Sequence, residues 1–497
     1  MTILANYWRT GLATGLVLAA TGCMVGPKYQ KPVVPAFSAP GLTVDKSESP
    51  YKEAFTTGPA DPNWQPADPA DAAVRGDWWE IFHNPELNDL EAKAGLQNQT
   101  LKAVAARFDE ARAQIGVVRS KQFPTIGTAP VVQGERYSDS RPYFAAPTSN
   151  TGQADVQLPL TLSWELDLWG RIRRQVSAAK EEAQATAADR QNAELSIRAE
   201  LATDYFELRA ADAQAKLLAD TVKDYEEALR ITTNRFEGGI TNQSDVFQAR
   251  TQLQAAKVQL QDVQVQRASY EHAIAVLVGQ PPNSFSLDAK PLEALPPVIP
   301  PGLPSQLLER RPDIAAAERR AAEANERIGI ARAAYFPTVG LSAVGGFESG
   351  SLANILDAKN LIYAVGPTVN LPIFDAGLRR STSVQARAAF EETSADYRQT
   401  VLTAFEQVED NLAALRILAS EADQQHQATA AAQGAEKIFD NRYVGGLDTY
   451  LQVVTAQNTA LQNERNDIDI VRRRMDASVL LIKALGGGWN AGQLPKY

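Results

Sequence analysis

Cysteine is almost absent from this chain: 497 residues contain one, Cys23. A lone thiol cannot close an intrachain disulfide, so stability has to come from packing. Histidine and methionine are nearly as scarce, at three each. His83, His272 and His426 stand far apart without metal-ligand spacing, and three methionines make no soft-ligand ladder for copper or silver, so neither a metal nor a cofactor site is expected. No GxxxxGKS/T phosphate loop occurs, which argues against nucleotide hydrolysis, and the chain is expected not to be an enzyme. Beyond the N-terminal leader no run of about 18 to 20 apolar residues remains, which excludes a further transmembrane helix. Forty-nine basic against 59 acidic residues, spread without long runs, argue against a nucleic-acid surface.

The leader carries Arg9 and then small and apolar residues from Gly11 to Gly22, the layout of a secretory signal cleaved before Cys23. Ala20-Thr21-Gly22-Cys23 resembles a bacterial lipobox, whose cysteine becomes the new N-terminus and takes a diacylglyceryl lipid. Met24 stands where retained inner-membrane lipoproteins commonly carry Asp, so by the same resemblance the destination is the outer membrane. An ordinary signal peptide with an incidental cysteine is the alternative.

The rest of the chain reads as two copies of one unit. Adding 207 carries Asn234-Arg235-Phe236-Glu237-Gly238-Gly239-Ile240 onto Asn441-Arg442-Tyr443-Val444-Gly445-Gly446-Leu447, and Gly279 onto Gly486. Upstream, adding 213 carries Phe123-Pro124-Thr125 onto Phe336-Pro337-Thr338. The difference of six residues places an insertion between Pro124 and Gly170, at the tip of a loop. Two copies at this spacing are a duplication and not a solenoid. The expected units are a signal peptide over 1–22, a lipid-anchored extension over 23–84, a first repeat over 85–282, a Pro-rich linker over 283–311, a second repeat over 312–489 and a tail over 490–497.

Within each copy the period changes from helix to strand and back. Residues 86–122 make a helix candidate with Asn84 as N-cap and Pro85 at the first position. From Val156 to Leu168 apolar and polar residues alternate, and Val365, Val369, Leu371 and Ile373 keep the phase in the second copy. Such strands suit either a sheet over a core or a membrane barrel with lipid outside and water inside. From Arg171 to Glu237 there is neither Gly nor Pro, and Leu201, Leu208, Ala215, Val222 and Leu229 fall seven apart, which predicts one helix about 100 Å long. Residues 242–278 predict a shorter helix, and with 86–122 stacked on it the pair would match the long one.

One hairpin per copy gives four strands per chain, whereas the smallest membrane barrels need about eight. Two chains would supply eight strands and three would supply twelve, and a monomer whose apolar strand faces cover a local core is the alternative.

Several local motifs then resemble a known family, the outer-membrane efflux proteins of the TolC-like type, in the lipoprotein branch that serves resistance-nodulation-division pumps. They are Cys23-Met24-Val25-Gly26-Pro27-Lys28-Tyr29 with Pro32, Trp78-Trp79 and Phe82 before Pro85 and Leu87, Arg310-Arg311-Pro312-Asp313-Ile314, and the two glycine turns. The resemblance spans nearly the whole mature chain. It implies a mainly α fold with a twelve-stranded outer-membrane β-barrel shared by a homotrimer, a long periplasmic helical barrel, and passive export without enzymatic chemistry.

The implied partners are a periplasmic adaptor and an inner-membrane pump, besides outer-membrane lipid through Cys23. By resemblance the turns at Gly238, Gly239 and Ile240 and at Gly445, Gly446 and Leu447 are the tips where the adaptor docks, glycine allowing tight reversal and close backbone approach. Interhelical turns that merely need glycine are the alternative. The resemblance also implies a periplasmic constriction, with Leu451 at an apolar ring and Asp245 at an acidic position, whereas Gln452 and Thr455 replace frequent acids with neutral groups. Ordinary heptad packing is the alternative for Leu451. Two other functions fit the fold pattern, an exit duct for type I protein secretion and a structural periplasmic coiled-coil lipoprotein without a pore.

Overall fold

The computed structural model describes residues 24–33, 77–136, 153–292, 296–297, 299, 310–489 and 491–497. Cys23 lies outside them, as does most of the first hairpin loop. Among the described residues seven α-helices dominate: α1 (Pro85–Gln97), α2 (Gln99–Ser120), α3 (Arg171–Glu237), α4 (Gln243–Leu277), α5 (Pro312–Ala333), α6 (Leu378–Val444) and α7 (Tyr450–Ala484). The same residues hold five strand segments: β1 (Thr125–Thr128), β2 (Val131–Glu135), β3 (Gln153–Leu166), β4 (Thr338–Ser349) and β5 (Leu361–Asn370). Among the described residues no helix is long and apolar enough to cross a membrane.

All strand pairings are antiparallel, in the order β1–β3–β4–β5, with β2 also on β3. Thr128 faces Leu160 and Val131 faces Gln157, so 128 + 160 and 131 + 157 both give 288 and the two segments are one interrupted strand in a single register. There are thus four strand positions. The second hairpin repeats the register of the first: Thr125 opposes Ser163, and the same pair shifted by 213 and 207 is Thr338 opposing Asn370. Strand pairing therefore holds on both sides of the six-residue difference, which falls between Glu135 and Gln153.

Helix bounds follow the same shifts. Adding 207 takes α3 from 171–237 to 378–444 and α4 from 243–277 to 450–484, which are α6 and α7. Adding 213 takes α2 from 99–120 to 312–333, which is α5.

The continuous helix expected over 86–122 is broken at Asn98. Its backbone leaves the helical region at ψ 126°, its side chain accepts from Leu101 N–H, and its Nδ2 donates to the Leu277 carbonyl at 2.8 Å. The buried amide thereby starts α2 and caps the end of α4 together, as Asn does well at helix termini. In the second copy Arg311 stands in its place, with 98 + 213 = 311, and donates to the Ala484 carbonyl at 3.0 Å. Only α2 continues α4, while α1 packs aside. Two glycines let these ends meet: a Cβ on Gly279 would lie 2.5 Å from the Gln97 carbonyl oxygen, and one on Gly486 2.2 Å from that of Arg310.

Strand β3 ends two residues earlier than its alternation. Asp167 turns back to accept from Ile172 and Arg173 N–H at 3.0 and 2.8 Å, supplying the cap that Gly170, without a side chain, cannot give α3. Likewise β5 stops at Asn370, so Leu371 and Ile373 lie past the strand, and Asp375 accepts from Gly377 and Arg379 N–H at the start of α6.

The main core gathers Trp78, Trp79, Phe82, Tyr205, Phe206, Ile274, Val401 and Met475, where α1, α3, α4, α6 and α7 converge. Phe82 lies 4.9 Å from Phe206, ring centre to ring centre, and Arg198 sits over Trp79 at 4.2 Å. Among the described strand residues the buried apolar side chain is Val156 of β3, while Leu158 and Leu160 on the same face of β3 and Tyr363, Val365 and Val369 of β5 are exposed.

Candidate functional site: the two helix turns

The α3–α4 and α6–α7 turns are built alike. Gly238 N–H donates to Asn234 O, Gly239 to Phe236 O and Ile240 to Arg235 O; Gly445, Gly446 and Leu447 repeat the pattern onto Asn441, Tyr443 and Arg442. Each is a helix C-terminus closed by a residue in the left-handed region, φ +70° at Gly239 and +73° at Gly446. An L-residue there costs roughly 1–2 kcal/mol, so both turns need glycine for conformation alone. A Cβ on either would meet nothing within 4 Å in this chain, so no backbone of the same chain presses on them. Ile240 and Leu447, next in sequence, are 69% and 71% exposed, and Val444 and Phe236 are exposed beside them.

One turn is tied to the other. Arg235 Nη1 donates to the Val444 carbonyl at 3.2 Å while its guanidinium lies 4.7 Å from the centre of the Tyr443 ring. Tyr443 packs against Tyr450 at 5.2 Å, and both are buried with Ala249 and Val453. The 207 shift sets Arg235 over Arg442 and Phe236 over Tyr443, aromatic beside cation within each turn, a pattern that does not itself mark the contact between turns. Arg442 instead pairs with Asp448 across its own turn.

Of the four residues expected at a constriction, Leu451, Gln452 and Thr455 are exposed, and Leu451 is not a packing residue within the chain at 56% exposure. Thr455 Oγ1 donates to the Leu451 carbonyl at 2.8 Å, one helical turn away on the same side of α7. Asp245 is half-buried at the start of α4, where its N–H is capped by Asn242 and its carboxylate accepts from Thr241 Oγ1. Its equivalent is Gln452, since 245 + 207 = 452, so the acid stabilises the helix start in one copy and is absent from the other.

Farther up, Glu436 feels three other carboxylates and no cation among the described residues. Burial, then Asp440, Glu464 and Asp224, push the Glu436 carboxyl up to about 7. Among the described residues no group of His, Cys, Asp and Glu is arranged to hold a metal ion.

At the other end Met24 begins the described chain, packed where a Cβ on Gly170 would come within 2.8 Å of it. Val25 N–H donates to the Trp169 carbonyl, and buried Arg174 donates to the carbonyls of Val25 and Pro27 and pairs with Glu326 at 2.8 Å. The residue following Cys23 is therefore fixed at the junction of β3 and α3.

Comparison with known proteins agrees with this geometry. The family model described as outer membrane efflux protein matches twice, over residues 92–280 and 303–487. A probable efflux pump outer membrane protein of Pseudomonas putida, TtgC, is 32% identical over 94% of this chain and 93% of its own length. The pyoverdine export outer membrane protein OpmQ of Pseudomonas aeruginosa is 30% identical over 85% of this chain and 89% of its own. The solved outer-membrane channel OprN superposes with a TM-score of 0.82 at 28% identity, covering 94% of this chain and 100% of that one. The chain belongs to the outer membrane efflux protein family.

Proposed function

We propose that this protein is the outer-membrane exit duct of a tripartite efflux pump, a homotrimer that passively conducts small molecules delivered by a periplasmic adaptor and an inner-membrane pump. The observation that carries the reading is the sheet: four amphipathic strand positions, unpaired at both edges and with most of their apolar side chains uncovered among the described residues, running directly into helices of 67 residues each. A free-edged sheet with an apolar face is completed by closure, which removes the edges and gives that face to lipid. Three copies close a twelve-stranded barrel, and the helices continue the wall into the periplasm. The equal shifts of strands and helices support an internal duplication with repeats over 85–282 and 312–489.

Direction follows from the chain: α3 leaves the sheet at Gly170, so the turns at Gly239 and Gly446 are the far, periplasmic end. Exposed Ile240 and Leu447 offer the adaptor an apolar contact there, and Leu451 and Thr455 line the narrowing above. Cys23, one residue before Met24 at the sheet–helix junction, places its lipid at the membrane surface. The neutral Gln452 and Thr455 leave that narrowing without a carboxylate ring in the second copy, so strong cation selection is not expected. Relatives are named for toluene, antibiotic and pyoverdine export, which support small-molecule cargo.

The test is a deletion strain. It should become sensitive to drugs or solvents, regain resistance with the wild-type gene, and show fatty-acid labelling of the protein that Cys23→Ser abolishes. Secretion of a protein substrate lost with no change in small-molecule resistance would assign the duct to type I secretion instead.

A further inference from the structure

Two equivalent helices of this chain have unequal neighbours. Helix α3 lies between α2 and α4 on one side and α5 and α7 on the other, whereas its equivalent α6 has α5 and α7 on one side only. Helix α2 has no buried residue, while its equivalent α5 has 12. Among the described residues, the counterparts of the contacts that α3 makes with α5 and α7 are thus missing at α6, and matching residues of α2 and α4 such as Arg107 and Val265 are exposed. Because α2 becomes α5 by adding 213 and α4 becomes α7 by adding 207, each intrachain contact names a candidate contact between copies.

The charged contact translates into a complementary pair. Arg320 of α5 is bonded to Asp189 of α3. Subtracting 213 from 320 gives Arg107, and adding 207 to 189 gives Asp396; both are exposed, and neither has an ion pair among the described residues. Small residues translate as well. Gly329 of α5 is seated on Arg174 of α3, where a Cβ would come within 2.2 Å. Its equivalent Gly116 has nothing within 4 Å and would meet the small Ser381, since 174 + 207 = 381. Lower down, the Arg472–Glu207 ion pair between α7 and α3 becomes Val265 with Ala414, which gives the exposed Val265 an apolar partner.

We infer that α6 of one copy packs on α2 and α4 of the next as α3 packs on α5 and α7 within a chain, with Arg107 paired to Asp396 of the second copy. The strands follow the same rule. In β3–β4 the paired numbers sum to 505, as in Val156 with Ser349. Adding 207 and subtracting 213 gives 499 for β5 against the next copy, which sets Thr368 opposite Val131 and Val365 opposite Gly134. The inference rests on the shared-barrel reading and adds the residue pairing to it.

Charge exchange tests the pairing in full-length protein from outer membranes. Arg107→Asp and Asp396→Arg should each lower the temperature at which the trimer dissociates in detergent by several degrees, and the double exchange should recover most of that loss. A short bismaleimide should join Arg107→Cys to Asp396→Cys of another copy into covalent trimers. It should leave Arg107→Cys with Glu406→Cys unjoined, ten residues or about 15 Å farther along α6. Trimers of normal mass in which the double exchange is no better than the singles, and in which both cysteine pairs link or neither does, would overturn the pairing while leaving the trimer intact. A monomeric wild-type protein would overturn the shared barrel itself.

Discussion

Helices α3 and α6 have the same length, the same glycine before them and the same turn after them, yet α3 buries 23 of its 67 residues and α6 buries 10. Their heptads explain only part of the difference: Leu201, Leu208 and Ala215 of α3 correspond to Val408, Leu415 and Ala422 of α6, whereas Val222 and Leu229 become Thr429 and Glu436. Location supplies the rest where the repeat is kept. There α3 is interior to the chain and α6 is its edge, so similar patterns meet unequal surroundings. An edge helix with an interior pattern is a surface awaiting a partner, in the way an uncovered strand edge is.

Truncation should separate the two helices most sharply. Leu208→Ala removes a side chain with no exposed surface from the main core and should cost about 2–5 kcal/mol in any state of assembly. Leu415→Ala, only partly buried in the single chain, should cost clearly less in dissociated protein and approach the Leu208 value in the assembly. Thermal unfolding of both variants, before and after dissociation, checks this. Equal costs in dissociated protein would mean that α6 is not an edge.

A second contrast lies between carboxyls. Glu91 of α1 has no exposed surface and no hydrogen-bond partner, and burial pushes its carboxyl up to about 9 despite Arg198 at 4.0 Å. A raised carboxyl pKa favours the folded state below the unfolded value near 4.5, and that contribution is lost as pH rises toward 9. Stability should therefore fall between pH 5 and 8 by up to about 1.4 kcal/mol per pH unit from this group. Glu91→Gln should flatten the slope, read as the unfolding midpoint in denaturant at each pH. Glu436, raised only to about 7, should lower stability over a narrower window that closes near neutrality, and Glu436→Gln should change the total less.

The third contrast is between turn glycines and the residues after them. Gly239→Trp or Gly446→Trp would strain the backbone whether or not an adaptor docks there, so neither isolates the proposed docking role. Ile240→Asp with Leu447→Asp should change folding by about 0.5 kcal/mol or less, since both side chains are exposed. The same double variant should abolish efflux at normal outer-membrane levels. Unchanged resistance would remove these residues from the adaptor contact.

Much of this fold was legible from spacing alone. The unbroken stretch from Arg171 to Glu237 is α3 residue for residue, and the shifts of 207 and 213 locate every major element of the second copy. The break at Asn98 was not legible, because what breaks the helix is a tertiary bond to Leu277, and nothing local marks it as a Pro would. The strand ends were overrun for a related reason: Asp167 continues the alternation in sequence but is taken by the N-terminus of α3. At the candidate site, the need for glycine at 239 and 446 was visible in sequence. The Arg235–Tyr443 contact was not, since it depends on how two hairpins lie side by side.

Hydrogen exchange along α3 and α6 in the detergent-purified assembly tests the edge argument most directly. If α6 is covered by other copies, its amides should be protected as strongly as those of α3 in a particle of three times the mature chain mass, and should lose that protection first on dissociation. Rapid exchange along α6 in the intact particle, or slow exchange there in a stable monomer, would contradict the account.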